Sequence, residues 1–115
     1  MADRKAPPAA EIDETGKFPW DIHDALVAQG FNAIHVAEIY GGQGGDALVA
    51  CLVVEEVARG GTSSSLIRAV NKLGTAPLLL SAAPELLERY LPPLARGEVM
   101  FSYALSERET GSTTP

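Results

Sequence analysis

Most apolar residues of this chain recur at helical spacing. The segment from Pro19 to Gly30 predicts a helix with one apolar face, because proline is favoured at the first helical position and glycine at the stop. The run from Ala47 to Val54 is apolar on every side, which is typical of a central helix packed on several neighbours. Asp46 is its expected N-cap, and Gly60-Gly61 is expected to end it.

Further helices are predicted in the second half of the chain. The stretch from Thr62 to Gly74 has the pattern of a one-sided helix, with threonine as the N-cap and glycine at the end. Pro77 to Ala82 is a short apolar segment that is expected to form another turn or two of helix. Pro84 starts a further helix, and Pro92-Pro93 is expected to end it because proline lacks the helical N–H donor. The apolar residues of the one-sided helix are Leu66, Ile67, Val70 and Leu73.

Two segments depart from helical spacing. Phe31 to Tyr40 alternates loosely and predicts a strand or an extended connector. Val99 to Ser106 alternates with a period of two, which predicts a β-strand. A lone strand cannot pair its backbone N–H and C=O groups. The sequence therefore predicts either pairing of this strand with another chain or the beginning of a second, β-rich domain.

These elements divide the chain into three parts. Residues 1–16 are polar and are expected to be a tail or the remnant of a longer first helix, and residues 17–97 are expected to form a helical domain. Residues 98–115 would start a truncated β domain. The predicted fold class is mainly α, a helical bundle with one C-terminal β-strand from an incomplete β domain.

Composition excludes several classes of function. The 115 residues include 15 acidic and 9 basic side chains, and no basic cluster offsets the net charge of -6, so nucleic-acid binding is not expected. The single cysteine, Cys51, cannot form an intramolecular disulfide, which fits a reducing compartment. Residues 1–10 lack the apolar core of a signal peptide, and no apolar run reaches membrane-spanning length. We therefore expect a cytoplasmic protein without a membrane span.

The most distinctive local motif is Gly42-Gln43-Gly44-Gly45-Asp46-Ala47, which satisfies the relaxed G-x-G-x-x-A dinucleotide fingerprint. Two features argue against a nucleotide site. A second helix follows where a parallel strand is needed, and Asp46 places a carboxylate where the phosphate would lie. A loop of left-handed glycines is the favoured interpretation.

Other reactive side chains have structural interpretations. The neighbours Glu55-Glu56 point about 100° apart on a helix, so they are expected to pair with Arg59 instead of sharing a metal. His23 and His35 lack the spacing of metal ligands and are interpreted as structural or solvated. Cys51 is expected to be a small buried hydrophobe. No metal site is predicted.

The C-terminal segment carries more chemistry. Tyr103-Ala104-Leu105-Ser106-Glu107, followed by Gly111-Ser112, predicts a strand that runs into a polar loop. Such a loop can present backbone N–H groups and serine hydroxyls to a flavin edge or a phosphate. The alternative is a strand end followed by a disordered tail.

Five short motifs follow one another along the chain, each weak alone and specific together. They are Ala10-Glu11-Ile12-Asp13-Glu14-Thr15-Gly16 before Phe18-Pro19, Tyr40-Gly41-Gly42-Gln43-Gly44, Glu55-Glu56-Val57-Ala58-Arg59, Tyr90-Leu91-Pro92-Pro93-Leu94-Ala95 with Gly97-Glu98, and Tyr103-Ala104-Leu105-Ser106-Glu107. In this order and spacing, the chain from about residue 9 to residue 112 resembles the N-terminal helical domain and first middle-domain strand of the flavin-dependent acyl-CoA dehydrogenases.

The resemblance implies a helical domain that leads into a β-barrel-like middle domain, with FAD held between the middle and C-terminal domains. It implies α,β-dehydrogenation of an acyl-CoA thioester by a homo-oligomer, with hydride passing to flavin and electrons to an electron-transfer flavoprotein. By position, Tyr103, Leu105 and Ser106 would contact the isoalloxazine ring. Gly111 and Ser112 would lie at the FAD pyrophosphate, and Ser112 would also approach the acyl-CoA substrate.

The chain departs from the family pattern in its last residues. Where the family has Pro-Gly-Ala-Gly-Ser-Asp, this chain has Arg108-Glu109-Thr110-Gly111-Ser112-Thr113, and the Glu109 carboxylate weakens the expected binding of FAD. The family's catalytic glutamate lies in a part that this chain lacks, so no catalytic residue is assigned. We therefore expect an N-terminal fragment that is inactive alone. The alternative is a non-enzymatic helical interaction module that pairs through its exposed C-terminal strand.

Overall fold

Five α-helices and two short 3-10 turns form the regular structure of the described residues, 9–109 and 111, in this computed structural model. The predicted mainly helical fold is therefore confirmed. The helices are α1 (Ala9–Thr15), α2 (Trp20–Ala28), α3 (Ala47–Gly60), α4 (Thr62–Ser81) and α5 (Pro84–Ala95), and the 3-10 turns are Phe31–Ala33 and Glu38–Tyr40.

Several predicted helix boundaries are confirmed. The Asp46 carboxylate accepts a hydrogen bond from the Val49 N–H at 2.9 Å, which caps α3. Pro84 occupies the first position of α5. Gly30 follows α2 with φ 72°, a left-handed conformation that glycine adopts without steric cost.

Other boundaries differ from the prediction, because burial overrides local propensity. α4 is one helix of 20 residues that passes through Gly74 and Pro77. α5 continues through Pro92-Pro93 to Ala95, since Leu91 and Leu94 are both fully buried and hold its last turn in the core. Residues 9–15, within the polar N-terminal part, are helical and form α1.

The segment Phe31 to Tyr40 is not a strand. It forms the two 3-10 turns, and its residues Ala33 and Val36 belong to the central apolar core with Leu91 and Leu94. Partly buried side chains surround this core: Tyr40, Leu78, Leu87, Ala95 and Phe101. The core therefore lies between the 3-10 turns, α5 and the second half of α4.

The prediction of a central α3 is wrong. Only Ala50 of this helix is buried, whereas Leu48 is 67% exposed and Leu52 is 51% exposed. Cys51 is also exposed, contrary to the expectation of a buried hydrophobe. α3 packs mainly on α4, and among the described residues nothing covers its outer side.

The predicted C-terminal strand is not found: residues 99–107 have no regular secondary structure, and no strand occurs in residues 9–109. A strand is stable only when a neighbour accepts and donates its backbone hydrogen bonds, and the described part of the chain offers no such neighbour. Among the helices described, none has the length and apolar character needed to cross a lipid bilayer.

Candidate functional site

Five polar side chains meet in the interior, between the first 3-10 turn, α4 and α5. We call Asn32, His35, Arg68, Asn71 and Thr75 the polar network. Asn32 and Asn71 are each 1% exposed, and Arg68 and Thr75 are fully buried. A buried polar group lowers stability unless it is hydrogen-bonded. The hydrogen-bond partners of these five residues therefore show which segments of the chain the polar network joins.

The two asparagines form a directional row of hydrogen bonds. The Phe101 N–H donates to Asn71 Oδ1 at 2.8 Å, Asn71 Nδ2 donates to Asn32 Oδ1 at 3.2 Å, and Asn32 Nδ2 donates to the Leu94 carbonyl at 2.5 Å. A backbone donor stands at one end and a backbone acceptor at the other, which fixes the orientation of both amide groups. The row joins the C-terminal segment to α4, the first 3-10 turn and α5.

His35 continues the polar network on its other side. Its Nε2–H donates to Thr75 Oγ1 at 2.6 Å, and the Thr75 hydroxyl donates to the Asn71 carbonyl at 2.9 Å. Its Nδ1 accepts from Arg68 Nη2 at 3.3 Å, which requires the neutral Nε2–H tautomer. Burial, together with the positive charges of Arg68 and Lys72, lowers the pKa of His35 to about 4, so this ring is neutral at pH 7.

Arg68 is a buried cation. Its Nη1 donates to the Asn32 carbonyl at 2.8 Å, while its Nε has no hydrogen-bond partner among the described residues. Within the same residues no carboxylate pairs with it, and burial lowers its pKa to about 10. Arg68 therefore remains charged at pH 7 and depends on neutral acceptors for its stabilisation.

The C-terminal segment, residues 98–109, leaves the end of α5 through a tight turn. Gly97 has φ 75°, and Arg96 and Glu98 form a two-pronged ion pair beside it, with N–O distances of 2.7 and 2.9 Å. Phe101 then packs edge-on against Tyr90, with ring centroids 6.4 Å apart. Past Phe101, every described residue of the segment is exposed.

The sequence-predicted cofactor residues lie in that exposed part. Tyr103 is 42% exposed and Leu105 is 53% exposed, and Ser106 and Gly111 are exposed as well. The side chains of Tyr103 and Ser106 have no hydrogen-bond partner within the described residues. Ser112 lies outside the described residues. The structure thus places Tyr103, Leu105 and Ser106 on one open segment without assembling them into a closed pocket.

The glycine motif is a structural loop. The N–H groups of Gly42, Gln43, Gly44 and Gly45 donate to the carbonyls of Ala37, Ala33, Val36 and Ile34, in that order. An amide that is already hydrogen-bonded within the chain cannot bind a phosphate, so this loop lacks the donors of a dinucleotide site. Gly44 has φ 62°, as the interpretation of a left-handed glycine loop expects.

The remaining candidates are structural. Glu56 pairs with Arg59 at 2.9 Å, which confirms the predicted salt bridge. His23 is buried against Trp20, with centroids 5.5 Å apart, and its Nδ1 lies 3.0 Å from Asp24. No group of three potential metal ligands occurs in the described part of the chain. An apolar groove of about 520 Å³ runs between α3 and α4, with Cys51 on its wall.

The sequence prediction missed four members of the polar network: Asn32, Arg68, Asn71 and Thr75. A signal was present, because Ser64, Arg68, Asn71 and Thr75 recur at spacings of four, three and four, which is one face of a helix. That polar face is the buried face of α4. It was hidden by the apolar series on the same helix, of which Ile67 is buried whereas Leu66, Val70 and Leu73 are exposed.

Comparison with known proteins identifies the family. Residues 1–98 match the family model described as the acyl-CoA dehydrogenase N-terminal domain. The chain is 58% identical over 107 residues to a protein named probable acyl-CoA dehydrogenase from Mycobacterium leprae, a match that covers 93% of this chain and 28% of that protein. It is 38% identical over 103 residues to the caffeyl-CoA reductase-Etf complex subunit CarC of Acetobacterium woodii, covering 89% of this chain and 27% of CarC.

A third relative, the probable acyl-CoA dehydrogenase YngJ of Bacillus subtilis, is 38% identical over 109 residues, covering 93% of this chain and 28% of YngJ. The chain thus spans little more than a quarter of the length of these relatives. Since the family model covers most of the chain and the helical fold agrees with it, the chain belongs to the acyl-CoA dehydrogenase family, in which it corresponds to the N-terminal domain.

Proposed function

We propose that this chain acts as the N-terminal helical domain of an FAD-dependent acyl-CoA dehydrogenase, which introduces a double bond between the α and β carbons of an acyl-CoA thioester. The observation that carries the proposal is the exposed segment 102–109, which begins a few residues after the part matched by the family model and makes no hydrogen bond with the described helices. Such a segment can meet a cofactor without first breaking contacts within its own domain.

Within this proposal, Tyr103, Leu105 and Ser106 contact the flavin ring. Their exposed side chains fit this role, because Tyr103 and Leu105 offer apolar surface and Ser106 offers a hydroxyl donor. A donor aimed at the flavin makes the ring a better hydride acceptor, which is the chemistry that FAD supplies when it is bound. Gly111 and Ser112 are the proposed pyrophosphate contacts, and Ser112 is also the proposed contact to acyl-CoA.

The proposed electron acceptor is an electron-transfer flavoprotein. The name of the CarC relative places that protein in a complex with Etf, which supports a partner of the same kind here. We further propose a homo-oligomeric assembly and a cytoplasmic location. The resemblance places the family's catalytic glutamate outside this chain, and we propose that the base that removes the α proton comes from there.

The cofactor role is tested in a chimera in which residues 9–109 of this chain replace the matched segment of the Mycobacterium leprae relative. We expect a folded chimera that retains one FAD per subunit and reduces an artificial electron acceptor when acyl-CoA is added. Ser106→Ala should weaken flavin binding about tenfold, the loss expected for one hydrogen bond to a charged or strongly polarised group. Ser102→Ala, on the same exposed segment, is the matched control. A folded chimera without flavin would contradict the cofactor role.

The chain alone is expected to be inactive. When the purified chain is mixed with FAD and acyl-CoA, gel filtration should separate it from the flavin, and no electron acceptor should be reduced. Stoichiometric retention of flavin together with turnover would overturn this expectation. The competing interpretation, an interaction module that pairs through the C-terminal segment, requires a partner, and light scattering that shows a discrete monomer would count against it.

A further inference from the structure

We propose that Asn71 and Gly74 of α4 are positioning residues. They fix the last point at which the C-terminal segment contacts α4, at Phe101, and so set the placement of Tyr103, Leu105 and Ser106. The functional part of this inference rests on the proposed flavin role of those three residues. The structural part stands on contacts within the chain alone.

The first observation is the hydrogen bond that holds the segment at Phe101. The Phe101 N–H donates to Asn71 Oδ1 at 2.8 Å, and this is the backbone hydrogen bond that the structure gives for residues 99–109. Asn71 cannot rotate its amide to release this bond without cost. Its Nδ2 donates to Asn32, whose own amide donates to the Leu94 carbonyl, so a flipped Asn71 would place two donors or two acceptors face to face.

The second observation is the close approach of the segment to α4 at Gly74. A Cβ added to Gly74 would lie 2.7 Å from Phe101 Cβ, 3.0 Å from the Phe101 carbonyl carbon and 3.1 Å from the Ser102 nitrogen. Two of these three atoms are backbone, so the segment itself would have to move. Gly74 sits inside a helix, where glycine is normally unfavourable, and the close approach of the segment explains its presence there.

The third observation is the short distance along the chain between Phe101 and the proposed flavin contacts. We call the contacts of Asn71 and Gly74 with Phe101 the clamp. Tyr103 is two residues past Phe101, and from Ser102 to Glu109 every residue is exposed. Phe101 is therefore the last residue of the segment that is held against the domain, by Asn71 on its backbone and by Tyr90 on its ring. A shift of the Phe101 backbone therefore moves the backbone that carries Tyr103, Leu105 and Ser106.

The clamp is tested in the 115-residue chain by residue-resolved amide exchange, which needs no flavin. In the wild type, the Phe101 amide should be protected, whereas the Tyr103 and Leu105 amides should exchange freely. Asn71→Leu should speed exchange at Phe101 by about tenfold or more, the equivalent of one hydrogen bond. Asn71→Asp keeps an acceptor for the Phe101 N–H but faces Asn32 Oδ1 with a second acceptor, so it should retain more protection at Phe101 than Asn71→Leu while lowering the stability of the domain. Val70→Ala, one residue earlier and partly exposed, is the control.

Gly74→Ala separates the positioning role from a merely structural one. Alanine favours a helix over glycine, so α4 should keep its amide protection or gain some, while the Phe101 amide should lose protection by about tenfold. Uniform loss of protection throughout α4, or unchanged exchange at Phe101 in both Asn71→Leu and Gly74→Ala, would overturn the clamp.

The functional readout uses the chimera described above. Asn71→Leu and Gly74→Ala should shift the flavin absorbance spectrum and weaken FAD binding, and Asn71→Asp, which keeps the acceptor for the Phe101 N–H, should shift the spectrum less than Asn71→Leu. A flavin-loaded chimera whose spectrum is unchanged by Gly74→Ala, despite faster exchange at Phe101, would overturn the link to the cofactor. A wild-type chimera that folds without flavin contradicts the proposed function instead, and it leaves the exchange test of the clamp intact.

Discussion

The two faces of α4 reverse the usual pattern of burial, since polar side chains are buried on one face and leucines are exposed on the other. One face carries Arg68, Asn71 and Thr75, which are buried and hydrogen-bonded across the domain. The other carries Leu66 and Leu73, which are 58% and 51% exposed. Globular helices normally bury the apolar face, because apolar surface in water costs about 25 cal/mol per Å². In this domain, hydrogen-bond geometry specifies one side of α4, and α3 covers the other side only in part, since Leu73 lines the groove between the two helices and is still 51% exposed.

The comparison separates two kinds of contribution to the fold. The apolar core at Ala33, Val36, Leu91 and Leu94 is small, and the polar network lies directly beside it. A small core supplies limited stability, so hydrogen bonds that tolerate only one arrangement carry more of the specificity. The exposed apolar face of α4 contributes little to stability or to specificity within the described chain. The predictions below compare these regions, from the largest expected effect to the smallest.

The core should dominate stability. Leu91→Ala removes a fully buried side chain beside Leu94 and should lower the free energy of unfolding by about 2–5 kcal/mol. Urea denaturation followed by circular dichroism measures this change. Leu86→Ala, on the same helix with a side chain 42% exposed, is the matched control and should cost much less. Equal losses for the two variants would mean that α5 does not bury the face assigned to it.

Substitutions in the polar network should cause the second largest loss in the free energy of unfolding. Asn32→Ala leaves Asn71 Nδ2 without its partner and removes one of the two hydrogen bonds that the Leu94 carbonyl accepts, the other coming from the Gly97 N–H. An unpaired buried polar group costs about 1–3 kcal/mol. The same denaturation experiment should show a loss in that range. Gln29→Ala, which changes an exposed amide side chain just after α2, is the control. A loss below about 0.5 kcal/mol would show that the network contributes less to stability than an ordinary surface position.

Acid should destabilise the polar network next, through His35. Its pKa is lowered from 6.5 to about 4 in the folded chain, so between these pH values the unfolded chain binds more protons. Stability contributed by the neutral ring is therefore present above pH 6.5 and is lost as the pH falls toward 4. Denaturation at a series of pH values should show a steeper fall for the wild type than for His35→Gln, which keeps a donor and an acceptor. Parallel curves would contradict the prediction.

The comparison also explains which features the sequence could predict. Local rules were sufficient for the Asp46 cap and for Pro84 at the start of α5, because both depend on a few neighbouring residues. They failed for Gly74, which sits inside a helix because a distant segment passes close to it. The proposed flavin contacts rest on resemblance to a family, and nothing in the contacts of Tyr103 or Ser106 distinguishes them.

The buried face of α4 was the harder problem. Leu66, Ile67, Val70 and Leu73 have helical spacing, and a periodicity rule assigns such a series to the core, although of these four only Ile67 is buried. The rule fails because burial depends on what lies opposite each face, and only the polar face meets Asn32 and His35. Partners more than 30 residues away in sequence are not visible in a local pattern.

The exposed apolar face should have the smallest effect on stability. Leu66→Gln replaces a side chain that is 58% exposed, so the free energy of unfolding should change by no more than about 0.5 kcal/mol. A large exposed apolar surface favours association, and Leu66→Gln combined with Leu73→Gln should reduce concentration-dependent self-association in sedimentation velocity. Lys72→Gln, between them on α4, is the control for a change that removes no apolar surface. A double variant that unfolds as readily as Leu91→Ala would show that this face is packed in the free chain, and the contrast between the two faces of α4 would fail.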